Sequence, residues 1–208
     1  MSGCCAAEAK NRKERRLLWT VLIFNAVMFV VEFAAGWIAN SSGLMADSLD
    51  MLADALVYAV GLFAVGKSLQ HKAKAALFNG SLQLTLGVLI LADVAKKMYF
   101  SVSPQTDIMT SISLLALAVN VLCFALLYQH RKGDINLRAS WICSRNDMIA
   151  NVGVLLAAFM VSWFGAAWPD WLIGTIIASL IIYSATNVIK DARQSIKTNE
   201  DVKSGCCG

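Results

Sequence analysis

Residues 43–66 read GLMADSLDMLADALVYAVGLFAVG, an apolar run that is long enough to cross a bilayer and yet contains three aspartates. A membrane helix needs about 20 apolar residues to cross a hydrocarbon core of ~30 Å. Asp47, Asp50 and Asp54 are three and four residues apart, so a helix presents all three on one face. A carboxylate at the bilayer centre costs about 2.5–3.5 kcal/mol. The three acids are therefore expected to point into a bundle and to bind something there.

The composition is that of a membrane protein. Of the 208 residues 58% are hydrophobic and only 15% are charged, with a mean hydropathy of +0.60. Backbone groups in lipid must bond within their own segment, so long apolar runs predict helices. We expect an all-α bundle of six transmembrane helices, a transport domain over 17–189 between a basic tail, 1–16, and a short tail, 190–208, without a folded C-terminal domain. The six predicted spans are 17–39, 44–66, 75–95, 108–128, 140–165 and 168–189.

Basic residues predict the orientation. All of the 18 lysines and arginines except Lys96 and Lys97 fall in tails, links or span ends on the side shared by both termini. The positive-inside rule then places both termini in the cytoplasm, in a multi-pass protein of the cell membrane, the bacterial inner membrane in particular. This bias explains the net charge of +4 and gives no indication of a nucleic-acid partner.

The fifth run supplies a second set of polar groups. Cys143 and Asp147 are four residues apart and share a helix face, which Asn151 continues. Packing of this run against the second would bring Asp50, Asp54, Cys143 and Asp147 together. Oxygen donors with one sulfur in a four-ligand set suit Zn²⁺, and the sulfur favours Cd²⁺. Mg²⁺ and Ca²⁺ prefer six or more oxygens.

Two other classes of function are weighed against transport. A non-transporting scaffold would use the acids to tie helices together, through hydrogen bonds to the amides of Asn25, Asn79, Gln83, Asn120 or Asn151. An intramembrane metallohydrolase usually needs histidine ligands and a general base. The only histidines, His71 and His130, lie in links outside the apolar runs, so we expect neither an enzyme nor a cofactor.

The segments GLMADSLDMLADAL and CSRNDMIANVGVLLAA resemble the second-helix and fifth-helix motifs of the cation diffusion facilitator family, and NAVMFVVEFAAGWIANSSGLMADS resembles its first helix and outer turn. The resemblance implies a homodimeric, proton-coupled exporter of divalent transition metals that works by alternating access. It also implies a transport site at Asp50, Asp54, Cys143 and Asp147. Cys143 departs from the family, which usually has His or Asp there, and the chain stops about 19 residues after the sixth run, where members usually continue into a cytoplasmic domain.

We therefore expect export of Zn²⁺ and Cd²⁺ in exchange for protons, with Co²⁺, Ni²⁺ or Fe²⁺ as the alternative cargo. Some residues are predicted to support the ligands or to line the ion pathway: Asp47, Asn151 and Glu32. Others can collect metal at the cytoplasmic mouth, against the alternatives of lipidation or no role: Cys4, Cys5, Cys206, Cys207 and His71. Gly80 and Gly87 are candidates for close helix contact, including a contact between two copies.

Overall fold

The computed structural model describes the backbone of residues 12–63, 69–130 and 135–198, and the side chains of 15–60, 62, 70–128 and 147–198. These residues form six helices and no strand, which confirms the predicted all-α class for the described part of the chain. The helices are α1 (Arg12–Ile38), α2 (Ser42–Phe63), α3 (Leu69–Tyr99), α4 (Thr106–His130), α5 (Ile135–Phe164) and α6 (Trp168–Thr198).

Five of these helices, all except α2, are long and apolar enough to cross a membrane. The 22-residue α2 carries the three aspartates and is enclosed by packing against α1, α3, α5 and α6. Every residue from 41 to 49 is buried. By contrast, α1 exposes Val27 and Val30, and the ends of α1 and α5 expose Trp37 and Trp163, as expected of lipid-facing surface and interface anchors. Five of the predicted spans are thus helices that are long and apolar enough to cross a membrane, and α2 as the sixth span remains a prediction.

Two helices extend furthest beyond their predicted spans. Both α3 and α6 have 31 residues, about 46 Å at 1.5 Å per residue, which exceeds the ~30 Å hydrocarbon core. The additional turns are polar: 69–74 at the start of α3 and 190–198 at the end of α6. Apolar length therefore predicted the lipid-embedded part, while the packing of α3 against α6 continues both helices beyond it.

Left-handed residues end three of the helices. Asn40, Ser101 and Gly165 have φ angles of 53°, 52° and 63°, within two residues of the ends of α1, α3 and α5. After α1 the N–H of Ser41 returns to the carbonyl of Gly36 at 2.9 Å, the bond that closes a Schellman cap. These caps allow the chain to reverse within a few residues. The end of the bundle that they form, called the far side below, comprises the links 39–41, 100–105 and 165–167.

The far side is tied together by backbone contacts. The N–H of Gln105, just before α4, donates to the carbonyl of Ala39, just after α1, at 2.9 Å. The starts of α2, α4 and α6 therefore lie at this end, and the terminal side, where α1 begins and α6 ends, lies opposite. Successive links therefore lie at alternate ends of the bundle, as the prediction of the orientation from basic residues assumes.

Glycines allow α6 to approach α2 and α3 closely. A Cβ at Gly174 would stand 2.8 Å from the carbonyl carbon of Ser42, closer than carbon atoms pack. Along α3, a Cβ at Gly80 would stand 3.0 Å from Ile189, and one at Gly87 would stand 2.8 Å from Ile182. The predicted close contact is confirmed, but its partner is α6 of the same chain. The expectation that these two glycines form a contact between copies is wrong.

Substitution of Gly174 tests the α2–α6 contact. We expect Gly174→Val to destabilise the protein by about 1–3 kcal/mol, because the added carbons overlap the backbone of Ser42. The matched control is Ser179→Val on the exposed face of the same helix, which should leave stability nearly unchanged. Thermal unfolding of the detergent-purified variants measures both, and equal midpoints would contradict the close approach.

Candidate metal transport site

The start of α2 is fixed by a carboxylate from α6. Asp170 is fully buried and accepts hydrogen bonds from the Ser41 hydroxyl at 2.7 Å and from the backbone N–H groups of Ser42 and Gly43 at 2.8 and 3.0 Å. The Ser41 hydroxyl oxygen in turn accepts from the N–H of Leu44 at 3.1 Å, as an N-cap does. The first donors of α2, which no helical carbonyl can satisfy, are therefore paired.

This cap sets the rotation of α2 and hence the direction of its acids. Asp50 and Asp54 follow the start of α2 by eight and twelve residues, about 12 and 18 Å along the axis. Asp147 follows the start of α5 by twelve residues, also about 18 Å. Because α2 begins on the far side and α5 on the terminal side, Asp54 and Asp147 meet near the middle of the bundle.

The acids of the two helices are in contact. The Asp147 carboxyl lies in hydrogen-bonding contact with those of Asp50 and Asp54. Asp54 and Asp147 are only 8% and 6% exposed, Asp50 is half-buried, and Asp54 also accepts from the Tyr58 hydroxyl at 3.0 Å. Bare carboxylates repel one another strongly away from water, so this contact requires protons or a cation between them.

The predicted fourth ligand, Cys143, belongs to α5 one turn before Asp147, but its side chain lies outside the described residues. Among the side chains that the structure describes, no group of three or more His, Cys, Asp or Glu is arranged to hold a metal ion. The three aspartates thus meet in pairs, through Asp147. The four-ligand set remains a prediction.

Among the residues predicted to capture metal at the terminal side, the structure describes His71. His71 is exposed in the first turn of α3. The cysteine pairs of the two tails lie outside the described residues: Cys4, Cys5, Cys206 and Cys207. Metal capture by any of them therefore remains a prediction.

Four of the five amides weighed for the scaffold take part in hydrogen bonds away from the acids, and the amide nitrogen of the fifth, Asn120, has no partner among the described residues. Asn25 and Asn151 each donate to a backbone carbonyl one turn earlier, at 2.8 and 2.9 Å, and the latter carbonyl is that of Asp147. Gln83 donates to Asn79 at 2.6 Å. The scaffold interpretation needs these amides as donors to the carboxylates. The hydrogen bonds they make leave the acids to be satisfied in another way.

A buried cation lies near the far side. Lys97 is 5% exposed and pairs with Asp93 at 2.6 Å, with its ammonium 3.8 Å from the sulfur of Met45. Asp93 precedes Lys97 by one turn of α3, so the two side chains share a face of the helix. The Lys97 ammonium is also close enough to Asp170 to attract its carboxylate, so a positive charge lies near the cap of α2.

Comparison with known proteins identifies the family. Residues 18–196 match the cation efflux transmembrane domain. The chain belongs to this family. It is 29% identical over 201 residues to a cadmium, cobalt and zinc/H(+)-K(+) antiporter of Bacillus subtilis, and these cover 89% of the chain and 63% of the relative. It is 25% identical over 196 residues to the zinc transporter ZitB of Escherichia coli, covering 88% of the chain and 62% of the relative.

Membership confirms the resemblance and several predictions. The chain spans a little over three fifths of the length of the curated relatives it matches. Those relatives are transporters and not enzymes, as expected from the residues. With its five long apolar helices this cation efflux chain is a multi-pass membrane protein, and its bacterial relatives are consistent with a bacterial inner membrane.

Sequence reasoning missed Asp170 and Tyr58. Asp170 pairs with residues 127–129 positions away, so no local pattern points to it. Ser41, immediately before α2, is a recognisable N-cap signal. The residue that pairs with this cap could not be recognised from the sequence. Tyr58 follows Asp54 by four residues and continues the same face, a spacing that was available as a signal.

Replacement of Asp170 tests its role as a cap. We expect Asp170→Ala to lower stability by about 1–3 kcal/mol, because two backbone donors and a hydroxyl lose their acceptor inside the bundle. Asp107→Ala is the matched control, since Asp107 also lies in the first turn of a helix but is exposed. Thermal unfolding in detergent compares the two, and a loss as large for the control would contradict the assignment.

Proposed function

We propose that this cation efflux domain exports Zn²⁺ and Cd²⁺ from the cytoplasm in exchange for protons, with Asp50, Asp54, Cys143 and Asp147 as ligands. The observation that carries the proposal is the contact of Asp147 in α5 with both aspartates of α2, deep inside the bundle. The names of the relatives, which include zinc, cadmium and cobalt, support divalent transition-metal ions as the cargo. Cytoplasmic termini and a homodimer belong to the same proposal.

The chemistry follows from charge and donor type. A divalent ion arriving from the terminal side neutralises two carboxylates and removes their mutual repulsion. The bound ion then holds α2 and α5 together. Protons compete for the same oxygens and for the Cys143 thiol, because these groups bind metal only when deprotonated. Proton arrival from the far side therefore expels the metal there. Alternating access is then a shift between two arrangements of α2 and α5, driven by whichever ion is bound.

The remaining polar groups support this cycle. Tyr58 donates to the carboxylate of Asp54 and so orients this ligand, whereas Asn151 bonds only the backbone carbonyl of Asp147. The Tyr58 contact restricts the side-chain rotamer of Asp54 before metal arrives. His71 and the tail cysteines would supply metal at the cytoplasmic mouth, since thiolates and imidazoles are good ligands for Zn²⁺ and Cd²⁺.

Transport by purified protein in vesicles tests the site. We expect Asp54→Asn and Asp147→Asn each to lower the initial rate of Zn²⁺ transport at least tenfold, because each removes a ligand charge while keeping the side-chain volume. Asp107→Asn, exposed on α4, should retain wild-type transport. Unchanged transport by either buried variant, with an intact elution profile, would overturn the site assignment. A scaffold would show no transport in the wild type.

Cys143 tests the identity of the cargo. Replacement of its sulfur by an imidazole in Cys143→His should lower the preference for Cd²⁺ over Zn²⁺ several-fold, because thiolate is the softer ligand. Competition between the two ions in the vesicle assay gives the ratio directly. The same assay with Co²⁺, Ni²⁺ and Fe²⁺ examines the alternative cargo, and faster transport of one of these by the wild type would contradict the Zn²⁺/Cd²⁺ proposal.

A further inference from the structure

A second pair of acids lies inside the bundle, outside the proposed ligand set. Glu32 of α1 and Asp47 of α2 are both fully buried, and none of their four carboxylate oxygens has a hydrogen-bond partner among the described residues. The two carboxylates are close enough to repel each other electrostatically. Buried carboxylates that lack both donors and counter-charge are strongly unfavourable, so these two acids must either take up protons or share a bound cation.

A third polar group belongs to the same level of the bundle. Met28, Met51 and Ala116 pack together as one small apolar cluster between α1, α2 and α4. Moving one turn from each member toward the far side leads to Glu32, Asp47 and Ser113, because α1 runs toward that side and α2 and α4 run away from it. The Ser113 hydroxyl is also fully buried and unpartnered among the described residues. Three helices thus contribute unsatisfied oxygens to one level.

This level is distinct from the transport site. Glu32 and Asp47 make no hydrogen bond to Asp50, whereas Asp50 is in contact with Asp147. Asp47 lies one turn closer to the far side than Asp50, on the same face of α2. A metal that leaves the transport site toward the far side would next meet these oxygens, and Asp50 lies close enough to interact electrostatically with both acids.

We propose that Glu32, Asp47 and the Ser113 hydroxyl form a second cation site, which receives the divalent metal ion released from the transport site. Two carboxylates carry the charge that a divalent ion neutralises, and water molecules complete its coordination. The donors are all oxygen, so the site lacks the sulfur that favours Cd²⁺. It binds Zn²⁺ and Cd²⁺ with similar affinity and more weakly than the ligand set with Cys143, which allows release. This inference rests on the proposed export function.

Equilibrium binding of Zn²⁺ to the detergent-purified full chain tests the second site. We expect two ions per wild-type chain, one tight and one at least tenfold weaker. Glu32→Gln and Asp47→Asn should each abolish the weaker ion and retain the tight one, and Ser113→Ala should weaken it several-fold. Asp54→Asn should abolish the tight ion instead, and the ion it retains should show no preference for Cd²⁺.

The outcomes separate this site from the transport site. One ion in the wild type, lost on Asp54→Asn and unaffected by Glu32→Gln, would overturn the second site and leave the transport site intact. Two ions that both survive Asp54→Asn would overturn the transport site. If Glu32→Gln and Asp47→Asn alter only the pH dependence of Zn²⁺ transport, with metal stoichiometry unchanged, these acids carry protons and the metal site is overturned. Elution profiles in detergent show that each variant is folded.

Discussion

The cost of placing carboxylates in lipid dictates the position of α2. Three aspartates on one 22-residue helix cannot face hydrocarbon, so this helix is enclosed while the other five present their apolar sides outward. Its contacts with α1, α3, α5 and α6 follow from that requirement. The small residues Gly36 and Gly174 allow the enclosure, since a Cβ at either would stand within 2.9 Å of the α2 backbone.

Enclosure alone does not aim the acids, and Asp170 provides the orientation. Its carboxylate pairs with the first donors of α2 and fixes where that helix begins. A helix start that slipped by one residue would rotate every side chain by about 100° and would separate Asp54 from Asp147. The α6 helix therefore positions the acids of α2 and belongs to the proposed metal site without contributing a ligand to it. Lys97, buried near this cap and paired with Asp93, also attracts the Asp170 carboxylate electrostatically.

Periodicity and composition predicted what depends on local sequence. Spacing alone placed Asp47, Asp50 and Asp54 on one face, and the i, i+4 pair in the fifth run predicted that Asp147 would meet them. The partner of the α2 cap, the length of α3 and α6, and the packing of Gly80 against α6 depend on tertiary contacts, which no single helix encodes. The sequence likewise could not predict that Glu32 lacks a hydrogen-bond partner, because an acid in an apolar run can equally be hydrogen-bonded.

The two levels of carboxylates in the bundle differ in donor chemistry, and this difference bears on direction. The proposed ligand set at the level of Asp54 and Asp147 includes the thiol of Cys143, whereas the proposed set with Glu32 and Asp47 has a hydroxyl as its third donor. Soft ions bind more tightly to the first than to the second. With this order of affinities, metal would remain at the level of Asp54 and Asp147. Export therefore requires that protons weaken metal binding at that level during each cycle. In the proposed cycle, proton competition at the thiol and carboxylates would convert a fixed difference in affinity into net movement toward the far side.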